Sequence, residues 1–142
     1  MSSKGTRGAK ATLKAIDGGL KGVPKAPDSI PSDLVSEYNE VAADMVQRQI
    51  LTASMMGVLE TYIVALWTVR EMQKAMEEHG PLVKTAHGML KPNPAHGMMA
   101  KAMETVARLS AELGLTPAAR SKQGFGGSEK PNTGGAPVGL KV

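Results

Sequence analysis

The sequence predicts an all-α fold: a helical hairpin with a long central helix, a third helix, a small β-hairpin connector and flexible termini. Three observations carry that prediction. Apolar residues recur at spacings of three and four through most of 32–113, the period of an amphipathic helix. Prolines fall between these stretches or at their first positions, where a helix tolerates them. The apolar fraction holds ten Met but only one Trp, one Phe and two Tyr, a mix suited to slender helices at close approach.

Residues 1–29 mix Gly, Lys, Ser and Pro without hydrophobic periodicity, and read as a flexible basic arm. Leu13, Ile16 and Leu20 could form one helical turn on a partner. Order is expected from Pro31-Ser32-Asp33, with Ser32 as N-cap. Leu34, Tyr38, Val41 or Ala42, and Met45 then give a first helix over about 32–48, with Glu37, Glu40 and Asp44 facing water.

A break near Ile50-Leu51 precedes a second start, with Thr52 or Ser54 as its cap. Met55 to Glu78 contains no proline and predicts a helix of about six turns or more. Met55, Leu59, Tyr62, Leu66, Val69, Gln73 and Met76 form one stripe, while Met56, Ile63, Val64 and Trp67 fall on other faces. A helix apolar nearly all round is buried on more than one side. The second face is therefore assigned to a neighbouring subunit, through Met55, Leu59, Ile63 and Trp67. The opposing reading places Ile63 and Trp67 in the subunit's own core. Beyond Trp67 the helix turns polar, and His79-Gly80-Pro81 stops it.

Leu82–Lys91 reads as a β-hairpin with Val83 and Leu90 on its arms and a turn near Ala86-His87-Gly88. Asn93 then serves as N-cap, with Pro94 at the first position of a third helix over about 94–113. Its seam is Met99, Met103 with Ala102, Val106, Leu109 and Leu113. Gly114 ends it, and Thr116-Pro117 opens a short turn through Arg120. The domain reading is thus a basic arm at 1–29, a helical core and oligomerisation domain at 30–121, and a flexible tail at 122–142.

The net charge of +4 is unevenly placed. Before Pro27 the chain carries Lys4, Arg7, Lys10, Lys14, Lys21 and Lys25 against Asp17 alone. Between Ile30 and Arg120 ten acids face eight bases. These six basic residues are the candidate DNA contacts, since basic arms neutralise phosphates; a merely solubilising tail is the plainer alternative. Arg120 is expected to have a structural or docking role.

Chemistry-bearing motifs are few. Without cysteine, disulfides, thiolate metal sites and a cysteine nucleophile are excluded. No Gly-x4-Gly-Lys-Ser/Thr run is present, and Gly124-Phe125-Gly126-Gly127 follows no strand. His79, His87 and His96 lack carboxylates at ligand spacing. No catalytic residue, metal or cofactor is therefore expected. No signal peptide or run of about 18 apolar residues is seen, so the chain is expected to stay in the cytoplasm where it is made, with no membrane partner.

From Pro31 to Arg120 the order of signals resembles the small terminase subunits of tailed bacteriophages. The similarity lies in Pro27–Leu34, in Leu51-Thr52 followed by Leu59, Tyr62 and Trp67, and in Gly80-Pro81-Leu82-Val83 leading to Lys91-Pro92-Asn93-Pro94. Its most specific part is Gly114-Leu115-Thr116-Pro117-Ala118-Ala119-Arg120, similar to the family's closing Gly-Leu-Thr-Pro-x-x-Arg. Two departures stand out: Met55 occupies the place of a common aspartate, and Tyr38 that of a common Trp in the first helix. The resemblance implies a non-enzymatic, ring-forming homo-oligomer. Such a protein binds viral double-stranded DNA and recruits the large terminase subunit, which carries the ATPase and nuclease. The alternative weighed against it is a small helical DNA-binding transcriptional regulator. That reading requires two helices on a tight turn and a polar recognition helix. Residues 80–93 are too long for such a turn, and the second helix is too apolar for a major groove. A helical interaction module without a nucleic-acid partner is a third reading.

Overall fold

The periodic stretches fold where their spacing places them, and each ends at a residue that can turn the chain. The computed structural model describes residues 18–122. A 3-10 turn at Ser32–Leu34 leads into α1 (Val35–Gln47), and a second at Ala53–Met55 leads into α2 (Met56–His79). Strands β1 (Leu82–Lys84) and β2 (Leu90–Pro92) form an antiparallel hairpin, followed by α3 (Pro94–Glu112) and the short α4 (Pro117–Lys122).

The helix ends follow two kinds of chemistry. Asn93 caps α3 as expected: its Oδ1 accepts from the Ala95 N–H at 3.0 Å, with Pro94 at the first position. The same side chain donates to the Gly80 carbonyl at 2.9 Å, and its backbone N–H reaches Pro81 O at 2.9 Å. Asn93 thus joins the end of α2 to the start of α3 and is 7% exposed. Ser32 and Thr52, expected as caps, make no side-chain cap bond. Each helix is entered through a 3-10 turn, whose i→i+3 bonds already satisfy amides there. Thr52 and Ser54 bond each other at 2.9 Å instead. At the C-terminal ends the chain turns left-handed. Gly80 has φ 76° and Gly114 φ 69°, both easy without a Cβ, whereas α1 uses Gln49 at φ 57°.

The core lies between α1, the first half of α2 and the end of α3. Leu34, Tyr38, Ala42 and Met45 of the α1 stretch meet Leu59 and Ile63 of α2, with Ile50, Leu51 and Leu113 closing the ends. Along its length α2 packs extensively on α3. The buried positions of α3 are Ala95, Ala102 and Leu109, spaced by seven, so the seam is a heptad carrying small residues at its first two levels. This corrects one position: Ala102 faces inward and Met103 is 53% exposed. Alanine lets the helices approach where methionine would hold them apart.

The last third of the segment expected to be a flexible arm, residues 18–29, is fastened to the body, and residues 1–17 lie outside the described residues. Gly19 forms a β-bridge with Thr52, and the Leu20 N–H donates to Leu51 O at 2.8 Å. Leu20 and Ala26 pack on the core, and the Ser29 hydroxyl bonds the Glu60 carboxylate. The turn suggested by Leu13, Ile16 and Leu20 keeps only Leu20 among the described residues, and there it serves the body. The 122–142 tail falls outside them, apart from Lys122 at the end of α4.

Candidate subunit and nucleic-acid contact surfaces

Three surfaces emerge from this packing: a clasp at the end of α3, a groove at Trp67, and the outer face of the hairpin. The clasp is built from the Gly114–Arg120 motif. Leu113 is fully buried and Leu115 packs against the core. The Gly114 carbonyl accepts from Arg48 Nη1 at 2.8 Å, and Arg48 Nη2 pairs with Asp44 at 2.6 Å. Thr116 Oγ1 accepts from the Ala119 N–H at 3.2 Å. Arg120 reaches the same Asp44 oxygen at 3.5 Å. The motif thereby ties the end of α3 to α1, and Arg120 is placed as a surface brace.

The groove lies on the α1 side of α2. Trp67, 36% exposed, sits beside Asp33, Glu71, Gln73 and Glu77 in a cavity of about 250 Å³. Two bases line it, but both are already engaged. Arg70 forks onto Glu37 at 2.7 and 3.1 Å, and Lys74 pairs with Glu71 at 2.7 Å. The Glu71 hydrogen bond raises the Lys74 ammonium above its ordinary range. Asp33 forms no ion pair among the described residues.

The hairpin register decides the third surface. Leu82 pairs with Pro92, Val83 with Lys91 and Lys84 with Leu90. Because side chains alternate, Leu82, Lys84, Leu90 and Pro92 share one face, and Val83 with Lys91 the other. Leu82 is 52% and Leu90 62% exposed, with Met89 at the turn 70% exposed. Gly88, at φ 78°, closes that turn with its N–H on Thr85 O.

The residues proposed from sequence are distributed as follows. Of the DNA candidates, Lys21 and Lys25 are exposed on the fastened segment, while Lys4, Arg7, Lys10 and Lys14 lie outside the described residues. Of the interface candidates, Leu59 and Ile63 are fully buried within the chain itself, and Met55 is half-buried. Trp67 alone of the four is exposed. Sequence reasoning missed the hairpin's outer face; its signal was that Leu82 and Leu90 fall on one face, diagonal to each other across the two strands, which is readable only once the register is known. Among the bases of the helical body, Arg48 is held in the clasp. Lys84 and Lys91 point to opposite hairpin faces, and Arg108 lies 3.9 Å from Glu112. Among the described residues no three His, Asp or Glu gather as metal ligands, and no helix is long and apolar enough to cross a membrane.

Fold and surfaces define a class: a small, mostly helical protein whose third helix is clasped onto its first and which displays apolar and charged surfaces. Its membership is specific. The sequence profile of the family described as "Phage terminase, small subunit" matches residues 35–130, from the first residue of α1 past the clasp, and the chain belongs to that family. No curated protein and no solved structure matches the chain. Membership gives it a role in phage DNA packaging, in a family of generally regulatory, non-catalytic subunits.

Proposed function

We propose that this chain is the DNA-recognising subunit of a phage packaging machine: a homo-oligomeric ring that holds viral double-stranded DNA and recruits and regulates the large terminase subunit in the host cytoplasm. The family match across the whole helical body carries this reading. The charge distribution supports the DNA contact, because six bases precede Pro27 whereas the body is acidic on balance. A single short arm binds phosphates weakly. A ring gathers many arms on one duplex and multiplies their avidity.

The decisive experiment is a gel-shift titration at several salt concentrations, comparing the full chain with one lacking residues 1–17. Each phosphate neutralised releases counterions, so affinity for the full chain should fall steeply with salt. The truncated chain should bind more weakly and with a flatter slope, since Lys4, Arg7, Lys10 and Lys14 are gone. Equal affinity and slope would put the DNA site on the body. Residue 17 is the correct cut. Removing 1–29 would also strip Leu20 and Ala26 from the core and confound binding with stability.

A further inference from the structure

The outer face of the hairpin is apolar and exposed at the end of the molecule where α2 and α3 meet. We propose that it is one half of the subunit interface, and that it docks into the Trp67 groove of a second copy of this chain. The inference rests on the oligomeric reading above and assigns the two surfaces that meet.

Three exposed positions, Leu82, Leu90 and Pro92, share this face, and Met89 stands exposed at the turn beside it; apolar side chains gathered in this way mark contact sites. Lys84 stands among them on the same face. From Gly80 to Met103 the sequence has no acidic residue, and Lys84 forms no ion pair among the described residues. The groove has the complementary character: an exposed indole in a hollow rimmed by Asp33 and Glu77, which form no ion pair among the described residues, while its two bases are paired to Glu37 and Glu71. An apolar centre with a charged rim is the usual anatomy of a protein contact. DNA contacts are more polar and more positive than this face.

The two surfaces are different and lie apart on the chain, one on the α1 side of α2 and the other beyond its C-terminal end. Contact between them is head-to-tail, and repetition of such a contact closes a ring when the rotation allows. Trp67 is the chain's one tryptophan and sits at the proposed contact, so its fluorescence reports on it.

The chain has no cysteine, which makes disulfide trapping clean. Full-length protein carrying both Met89→Cys and Gln73→Cys should, on oxidation, give a ladder of linked subunits on a non-reducing gel. Either substitution alone should give none. Leu90→Asp should weaken assembly by at least about tenfold and shift Trp67 emission to the red, with unchanged helicity by circular dichroism. Light scattering on the same samples separates the failures. A monomeric wild-type chain overturns the oligomeric reading and this pairing with it. An oligomer that yields no ladder, or a Met89→Cys variant that links to itself, overturns the pairing alone. So would a Leu90→Asp variant that stays assembled but loses affinity for duplex DNA or for the large subunit.

Discussion

Gln49 and Tyr38 show how single residues are held at a cost. After α1 the Gln49 N–H bonds Val46 O and the Ile50 N–H bonds Met45 O, a turn that places Gln49 in the left-handed region at φ 57°. The same turn after α3 uses Gly114. Gln49→Gly should therefore raise stability by roughly 0.5–1 kcal/mol, the relief of a crowded Cβ less glycine's entropy loss, measured by urea unfolding. Tyr38 is fully buried, and its hydroxyl finds no hydrogen-bond partner among the described residues. Burial, assisted by the nearby Glu60 charge, raises its phenol pKa. The folded chain thus keeps a proton that the unfolded chain releases near the ordinary value of about 10. Stability from this group is whole below that pH and is lost as pH climbs toward the raised value. Tyr38→Phe should be neutral or stabilising by on the order of 1 kcal/mol at pH 7, and should soften alkaline unfolding. Tyr62, raised for the same reason, leaves a residual dependence.

At the scale of elements, the Gly114–Arg120 motif is a fastening between α3 and α1 rather than a ligand site. Arg48, with its side chain only 12% exposed, contributes most, because it satisfies the carbonyl of buried Gly114. Arg48→Met should cost about 1–3 kcal/mol in thermal or urea unfolding, the penalty of leaving a buried acceptor unmet. Arg120→Ala removes only the exposed 3.5 Å contact with Asp44 and should change stability by less than about 1 kcal/mol. If the two substitutions cost the same, the clasp works through Arg120 as much as through Arg48. The motif's spacing was plain in the sequence. Its partner, some 66 residues earlier, was not.

At the scale of the molecule, α2 is flanked by α1 on one side and α3 on another, which accounts for much of its apolar circumference without a second subunit. Ile63 and Trp67 stand one turn apart, yet Ile63 is fully buried and Trp67 is 36% exposed. Asp33, at the start of the α1 stretch, is level with Trp67, so beyond that level α1 offers no cover. Ile63→Asp buries an unpaired charge at a cost of several kcal/mol, a large part of a domain's total stability, and should unfold the chain by circular dichroism. Trp67→Asp should keep the helices and lose subunits by light scattering. Unfolding of both variants would mean that Trp67 also belongs to the core.

Read alone, the sequence determined the helical stretches, their stops at Gly80 and Gly114, the Asn93 cap, the hairpin and the family, because each depends on neighbours within a few residues. The tertiary structure decided which apolar residues became core and which stayed at the surface. Met103 and Ala102 share one stretch of periodicity, as do Ile63 and Trp67, but burial depends on which helix stands opposite at each level. The fastening of residues 19–29 was decided in the same way. Residues 19–29 have no periodicity to announce order, and they are held by Leu51, Thr52 and Glu60, partners that only folding brings beside them.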